Sequence, residues 1–291
     1  MTEAQAFAPG KLILMGEHAV VYGHEAIALA LSRGTTVTLR RRPGPTRPEQ
    51  SAIVDDRLQA ALLTVLPAEG LGVDIVSDLP VGRGMGSSAA LAVALVRAAA
   101  ALEGQVASVE TCYSRGMAIE RVFHGNPSGV DHAVSSRGGA LRYRRSPAGP
   151  VLEALDLPSL SLVVLDSGEA GDTGQMVAGV AARRPGIDGA IERIGELVRA
   201  ALRHLHSGFD PFVFGALLTE NHRLLRQIGV STPTLDGLVQ LALDAGALGA
   251  KLAGAGGGGV VLALVDEPSR LLSRAKAEGV VAFPVRPWPQ P

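Results

Sequence analysis

One nine-residue segment, Gly82-Arg83-Gly84-Met85-Gly86-Ser87-Ser88-Ala89-Ala90, limits the folds open to this chain more than any other, because it joins a strand-like stretch to an Ala-rich helix. Glycine lacks a Cβ atom and adopts positive φ, so successive backbone N–H groups can turn towards an anion at the positive end of the helix. The two serines add hydroxyls that could bind a Mg²⁺ ion carried by phosphates. The segment predicts a phosphate-binding turn. Its alternative is a capped turn in a Gly-rich protein.

The spacing of this turn excludes two common nucleotide-binding loops. It is neither Gly-x-Gly-x-x-Gly nor Gly-x4-Gly-Lys-Ser/Thr. A formal net charge of −1 argues against nucleic acid or an acidic membrane as a partner. The basic cluster Arg40–Arg42 with Arg47 lies among prolines and is interpreted as a solvated loop. These features favour a small-molecule ligand.

Three further features predict a cytoplasmic protein that does not span a membrane. Cys112 is the only cysteine, which excludes disulfides within the chain and thiolate zinc sites. The first residues lack the pattern of a secretory signal. The most apolar helix, Ala89 to Leu102, is too short for a bilayer and carries Arg97.

The order of apolar patterns predicts an α+β fold with two halves. Strands are expected at 11–15, 35–39, 73–76, 160–165 and 260–265, and helices at 88–102, from Ser108 to about 120, and at 187–206, 211–228 and 234–248. A stretch rich in Pro, Gly and Arg from Arg144 to Pro158 is interpreted as a boundary. We therefore expect domains at 1–150 and 151–291, with the active site in the cleft between them.

Three other segments carry chemistry. Lys11 places a cation in an apolar strand, where it is either an edge residue or the partner of an anion. Glu120 and Asp131 flank an Asn-Pro-Ser-Gly turn, which suits one metal ligand and one proton acceptor. Four consecutive glycines, Gly256–Gly259, weaken regular structure and so indicate a close backbone approach.

Together these segments resemble the three signature motifs of the GHMP family of small-molecule kinases, in the form that acts on mevalonate. The first motif is Pro9-Gly10-Lys11 followed by Gly16-Glu17-His18-Ala19-Val20-Val21-Tyr22-Gly23, the second runs from Pro80 to Ala90, and the third from Lys251 to Gly259. The run from His124 to Asp131 is the most discriminating. The resemblance covers nearly the whole chain in order and spacing.

The resemblance implies a role for each matching position. Asp131 would accept or orient the proton of the substrate hydroxyl, and Lys11 would stabilise the developing charge. Ser88 and Glu120 would bind Mg²⁺. His18, Glu17, Thr173 and Gly256 would lie at the substrate, although Gly171-Asp172 departs from the Pro-Arg that longer animal forms carry before the threonine. The implied nucleotide-binding residues are Pro80, Gly82, Gly84, Met85, Gly86, Ser87, Ser88 and Ala89.

The activity that the resemblance implies is ATP-dependent phosphorylation of mevalonate, with Mg²⁺ as cofactor and ATP as co-substrate. The alternatives are another kinase of the family, acting on phosphomevalonate or a sugar, and a non-catalytic nucleotide-binding module. The presence of both Asp131 and Lys11 argues against the last. Whether the chain forms a homodimer is left open, as is whether Asp131 abstracts the proton or mainly positions the hydroxyl.

Overall fold

The structure, a computed structural model, describes residues 1–52, 56–124, 129–146 and 149–289. Over these residues it has ten strands, nine α-helices and a short 3₁₀ helix at Ala19–Tyr22. The strands are β1 Glu3–Met15, β2 Glu25–Pro45, β3 Arg47–Ser51, β4 Glu69–Ser77, β5 Ala140–Arg144, β6 Val151–Leu155, β7 Leu162–Asp166, β8 Gly249–Ala253, β9 Val260–Leu264 and β10 Ala282–Val285. The helices are α1 Leu58–Leu63, α2 Ser87–Leu102, α3 Val109–His124, α4 Val130–Arg137, α5 Thr173–Arg183, α6 Asp188–Ser207, α7 Pro211–Gln227, α8 Pro233–Asp244 and α9 Pro268–Ala277.

The strands form two sheets. In the first, of six strands, the order is β3-β4-β2-β5-β6, and β1 pairs with the long strand β2. The second is antiparallel with the order β10-β7-β9-β8. Helix α2 packs on β1 and β2, while α7 and α8 cover β8. The predicted α+β class is confirmed.

A continuous hydrophobic core joins the two sheets. Leu12 and Leu14 of β1 belong to the same buried cluster as Val163 of β7 and Leu252 of β8. Every residue of β8 and β9 is buried. Burial on both faces suits their apolar sequences, and it fixes the loop between them against the first sheet.

Most predicted elements appear with small shifts in their ends. The five predicted strands lie in β1, β2, β4, β7 and β9, and Ser108 accepts a hydrogen bond from Thr111 N at the start of α3, as a capping residue does. The last predicted helix of the set ends earlier, at Asp244. Helices α1, α4, α5 and α9 and half of the strands were not anticipated, because short elements carry few periods of a pattern.

The stretch from Arg144 to Pro158, which was interpreted as a boundary, contains strand β6, which pairs with β5. A domain boundary in this stretch stays a prediction. The interpretation of the basic cluster was wrong. The basic cluster lies on strands rather than in a loop, since Arg40–Arg42 lie near the end of β2 and Arg47 begins β3. The three consecutive arginines form ion pairs with Glu3, Asp74, Glu103 and Glu49. These pairs offset the positive charge that the cluster would otherwise present.

Among the helices of the described residues, none combines the length and the apolar character that a bilayer crossing requires.

Candidate active site

The cleft that contains the predicted catalytic aspartate has a volume of about 460 Å³. One wall is the glycine turn before α2, and the opposite wall is the segment 171–174 at the start of α5. Asp131, in the first turn of α4, also lines the cleft. Two segments that are distant in the chain therefore face each other across one opening.

The glycine turn has the backbone that the sequence predicts. Gly82, Gly84 and Gly86 have φ of 72°, 76° and 73°. Gly86 is the N-cap of α2 and supplies no side-chain hydrogen bond to the first turn. A Cβ atom on Gly86 would lie 2.9 Å from Lys11 Cγ, so glycine is needed for this approach. The start of α2 is thereby suited to bind an anion through its backbone N–H groups.

Lys11 and Asp131 form an ion pair at the base of this turn. The distance between Lys11 Nζ and Asp131 Oδ1 is 3.1 Å, and the lysine side chain is 4% exposed while the aspartate is 31% exposed. Lys11 N also donates to Met85 O at 2.9 Å, which ties β1 to the turn. The lysine is held in place by the fold, and the carboxylate faces the cleft.

Asp131 owes its position to a glycine. Gly129, the N-cap of α4, has φ of 84°, and a Cβ atom there would lie 2.5 Å from Tyr113 Oη. A residue other than glycine at position 129 would be strained at this φ and would displace the Tyr113 hydroxyl. As a residue of the first turn, Asp131 lies at the positive end of the helix dipole, which favours a carboxylate.

Ser88 and Glu120 meet beside this pair. Ser88 Oγ donates to Glu120 Oε1 at 3.0 Å. Burial, and then the charge of Asp131, raise the pKa of Glu120 to about 7, while the hydrogen bond from Ser88 and the charge of Lys11 oppose the rise. Two carboxylates near each other in a low-dielectric setting favour a cation between or beside them.

His18 links the first motif to the third. Its Nε2 is 2.8 Å from Ala255 O, and burial lowers its pKa. His18 has a positive φ of 60°, a conformation that is uncommon for a residue with a side chain. The conformation directs the first motif towards the loop after β8. Strain of this kind occurs often at functional positions.

Thr173 and Gly256 approach the glycine turn from the other side. Thr173 begins α5, whose N-cap Asp172 accepts from Gln175 N, and it lines the cleft. Gly256 has φ of 82°, and a Cβ atom there would lie 2.0 Å from Val230 O. The glycine is therefore required by packing. The predicted substrate contacts of His18, Thr173 and Gly256 stay predictions.

Glu17 lies in the interior instead. Lys251 Nζ donates to Glu17 Oε1 and, at 2.6 Å, to Leu252 O, and Asn221 Nδ2 donates to Glu17 Oε2 at 3.3 Å. The side chains of Lys251 and Glu17 are 0% and 1% exposed. Burial lowers the pKa of Lys251, and the charge of Glu17 opposes this. The Glu17 carboxylate thus joins the first sheet to the second, and a substrate contact through it stays a prediction.

The predicted nucleotide-binding residues differ in their position relative to the cleft. Gly82, Gly84, Gly86, Ser87 and Ser88 line the cleft. The side chains of Met85 and Ala89 are buried in the core, so only their backbone could contact a nucleotide. Pro80 is half-buried and is not among the described residues that form the cleft wall.

Several residues at this site were not singled out from the sequence. Arg57 and Phe123 line the cleft, and the guanidinium of Arg57 lies 5.6 Å from the centre of the Phe123 ring. Neither residue belongs to a glycine motif, so no pattern marked them. Lys251 carried a usable signal, since it is a charge in an apolar strand. Residues 125–128 of the predicted discriminating turn lie outside the described residues.

Comparison with known proteins adds a family to this geometry. Residues 53–139 match the family model described as GHMP kinases N terminal domain, and residues 198–281 match GHMP kinases C terminal. A protein of Thermococcus sibiricus named mevalonate kinase is 35% identical over 90% of this chain and 89% of its own length. Another of that name from Aeropyrum pernix is 37% identical over 91% of this chain and 89% of its own.

A solved structure agrees with these matches. The crystal structure of L. major mevalonate kinase in complex with R-mevalonate superimposes with a TM-score of 0.87 at 30% identity, covering 97% of this chain and 96% of that one. Both family models, two relatives above 30% identity and the shared fold give one result. The chain belongs to the GHMP kinase family.

Proposed function

We propose that this protein transfers the terminal phosphoryl group of ATP to the 5-hydroxyl of mevalonate, giving 5-phosphomevalonate. The observation that carries the proposal is the Lys11–Asp131 pair, which lies at the base of a helix-start anion site in one cleft. Kinase relatives named for mevalonate span nine-tenths of the chain and support the choice of alcohol. The L. major structure with R-mevalonate supports it too.

The chain's own groups meet the needs of phosphoryl transfer. This reaction needs positioning and charge stabilisation more than covalent catalysis. The N–H groups at the start of α2 would hold phosphate oxygens, and the Lys11 ammonium would stabilise charge that develops on the transferred group. Asp131, with the more exposed side chain of the pair, would orient the hydroxyl or accept its proton.

Ser88 and Glu120 fit a Mg²⁺ site. Mg²⁺ prefers oxygen ligands and keeps several waters, so one hydroxyl and one carboxylate beside bound phosphates suffice. Burial and the charge of Asp131 raise the pKa of Glu120, and a cation beside this carboxylate would counter both effects. When bound, Mg²⁺ would neutralise charge on the phosphate oxygens.

Other parts of the proposal rest on the sequence. We place mevalonate near His18 of the first motif, Thr173 at the start of α5 and Gly256 of the third motif. We also propose that the chain divides into domains at 1–150 and 151–291, a division that leaves only the edge strand β6 of the first sheet beyond residue 150. A cytoplasmic location and a homodimer stay predictions.

A coupled assay of ADP release tests the function. The purified protein is offered ATP, Mg²⁺ and, in turn, mevalonate, phosphomevalonate, galactose and homoserine. We expect kcat/KM for mevalonate to exceed that of every other alcohol by about a hundredfold or more, because a site that pairs a substrate's polar groups penalises analogues that leave them unpaired. The Asp131→Asn variant, purified in parallel, controls for contaminating kinases.

Two results would replace the proposal. Comparable turnover of galactose or phosphomevalonate would favour another kinase of the same family. Nucleotide binding without turnover of any of the four alcohols would favour a non-catalytic module.

A further inference from the structure

Arg83, at the tip of the glycine turn, makes an ion pair that the proposed chemistry does not use. Arg83 Nε lies 2.9 Å from Asp166 Oδ1, and Arg83 Nη2 donates to Gly168 O at 2.7 Å. The two side chains are 18% and 14% exposed. Asp166 ends β7, so the pair ties the turn of the first sheet to a strand of the second. We call this contact the Arg83–Asp166 strap.

The position of Arg83 suggests a different role at first. A cation between two glycines of a phosphate-binding turn is expected to face the phosphates. The Nε and Nη2 groups of the guanidinium instead bind Asp166 and Gly168. Because guanidinium geometry is planar and fixed, these two bonds set the direction of the whole group.

The backbone around the strap holds three loops together. Gly171 N donates to Gly82 O at 3.4 Å, and Ser167 N donates to Gly259 O at 3.0 Å. A Cβ atom on Gly259 would lie 3.0 Å from Arg83 O, so the third motif packs against the turn as well. The glycine turn, the loop after β7 and the loop after β8 therefore share one contact region.

The loop after β7, which Arg83 contacts, leads to the side of the cleft where we place the substrate. It leaves Asp166 at the end of β7 and reaches Thr173 at the start of α5, which lines the cleft opposite the turn. Gly168 N donates to Asp166 Oδ1 at 2.9 Å, so the carboxylate that binds Arg83 also shapes this loop. A nucleotide that orders the turn would act on the loop through the same carboxylate.

We propose that Arg83 is a positioning residue that couples the nucleotide site to the alcohol site through Asp166. With the strap intact, a bound nucleotide orders both walls of the cleft, and the alcohol then binds to a wall that is already in place. Such coupling is reciprocal, so each substrate raises the affinity of the other by the same factor. The inference rests on the proposed function for the identity of the alcohol.

Titration calorimetry measures this coupling. The Kd of mevalonate is determined with and without the Mg²⁺ complex of a non-hydrolysable ATP analogue, for the wild type, Arg83→Ala, Asp166→Asn and the double variant. Asp166→Asn retains an oxygen for Gly168 N while it removes the charge. Arg193→Ala, which breaks the exposed Arg193–Glu196 pair, is the control.

We expect the analogue to tighten mevalonate binding about fivefold or more in the wild type and in the control. Both single variants should reduce that factor towards one, to values within about twofold of each other. The double variant should lose no more than either single variant, because the two residues act as one unit. Thermal unfolding of each variant checks that the fold persists.

Other outcomes overturn the inference. If Arg83 binds phosphate directly, Arg83→Ala weakens analogue binding about tenfold or more while Asp166→Asn leaves it unchanged or tighter. The proposed coupling is also contradicted if the analogue does not tighten mevalonate binding in the wild type, or if the variants retain the full effect. If the alcohol assay selects another substrate, that alcohol replaces mevalonate here, so the proposed function can fail while the strap is still tested.

Discussion

Two lysine–carboxylate pairs in this molecule have similar chemistry and different surroundings. Lys11 pairs with Asp131 beside the cleft, and Lys251 pairs with Glu17 between the sheets. Both lysine side chains are buried, at 4% and 0% exposure. The carboxylates differ, since Asp131 is 31% exposed and Glu17 is 1% exposed. The accessibility of the carboxylate therefore separates the two pairs.

Because their carboxylates differ in exposure, we assign the two pairs different roles. A carboxylate open to a cleft can exchange its lysine or a water for a substrate hydroxyl. The carboxylate of Glu17 is enclosed by Lys251 and Asn221, and its charge is compensated where it stands. Breaking a buried pair leaves an uncompensated charge, which destabilises a fold strongly. We therefore expect the first pair to control rate and the second to control stability.

The largest expected effect tests the first half of this comparison. Asp131→Asn keeps the shape of the side chain but removes its charge and its capacity to take a proton, so single-turnover phosphoryl transfer should fall by roughly 10²–10⁴. The thermal unfolding midpoint and ATP affinity should barely change. A transfer rate near that of the wild type would show that the proton acceptor lies elsewhere.

The second half predicts a loss of stability. Lys251→Met removes the cation from a fully buried pair, and we expect the free energy of unfolding to fall by about 3–5 kcal/mol. Denaturant titration measures this, with Lys276→Met on the exposed end of α9 as the control. Adding Glu17→Gln should recover part of the loss, because it removes the orphaned charge. A single variant as stable as the control would contradict the assignment.

The sequence marked only one of these pairs. Lys11 and Lys251 both interrupt apolar strands, but Lys11 also precedes a Gly-Glu-His motif. The resemblance that includes this motif implies the role of Lys11. The partner of Lys251 is 234 residues away in the chain, so no local pattern could reveal the contact. Glu17 is predicted at the substrate from its place in the first motif, and that contact stays a prediction. The motif gives no sign of the bond that Glu17 accepts from Lys251.

The fold was predictable where a pattern is long or dominated by glycine. Helix α2 was anticipated to within one residue because Gly86 and the following serines mark its start. Helix α4 carries Asp131 yet escaped prediction, since its eight residues span only about two turns. Strand β6 was hidden in a stretch of prolines and glycines, and its existence depends on pairing with β5. Tertiary contacts decide such elements.

A pH titration extends the comparison to the surroundings of the buried pair. Burial lowers the pKa of His222, next to strand β8, to about 4. Leu252 N donates to its Nδ1 at 3.3 Å, which requires the neutral ring. The unfolded chain binds the proton more readily, so stability rises with pH from about 4 to 6.5 and falls as the pH decreases through that window, by roughly 3 kcal/mol in all.

Denaturant unfolding at a series of pH values checks this. His222→Gln should flatten the acid side of the profile, while His206→Gln, at an exposed position of α6, should leave it unchanged. Equal acid sensitivity in His222→Gln and the wild type would contradict a role for this ring.

The smallest expected effect concerns Glu120, which combines the burial of Glu17 with the cleft-side position of Asp131. It is 4% exposed, and its hydrogen bond from Ser88 is a feature that neither pair has. Ser88→Ala removes one oxygen ligand from the proposed Mg²⁺ site, so the apparent Mg²⁺ requirement should rise several-fold, up to about tenfold, and excess Mg²⁺ should restore part of the rate. Steady-state rates over a Mg²⁺ series at saturating ATP measure this.

Ser114→Ala on the exposed face of α3 is the matched control. An unchanged Mg²⁺ dependence in Ser88→Ala would mean that this hydroxyl serves Glu120 and the start of α2 rather than the metal.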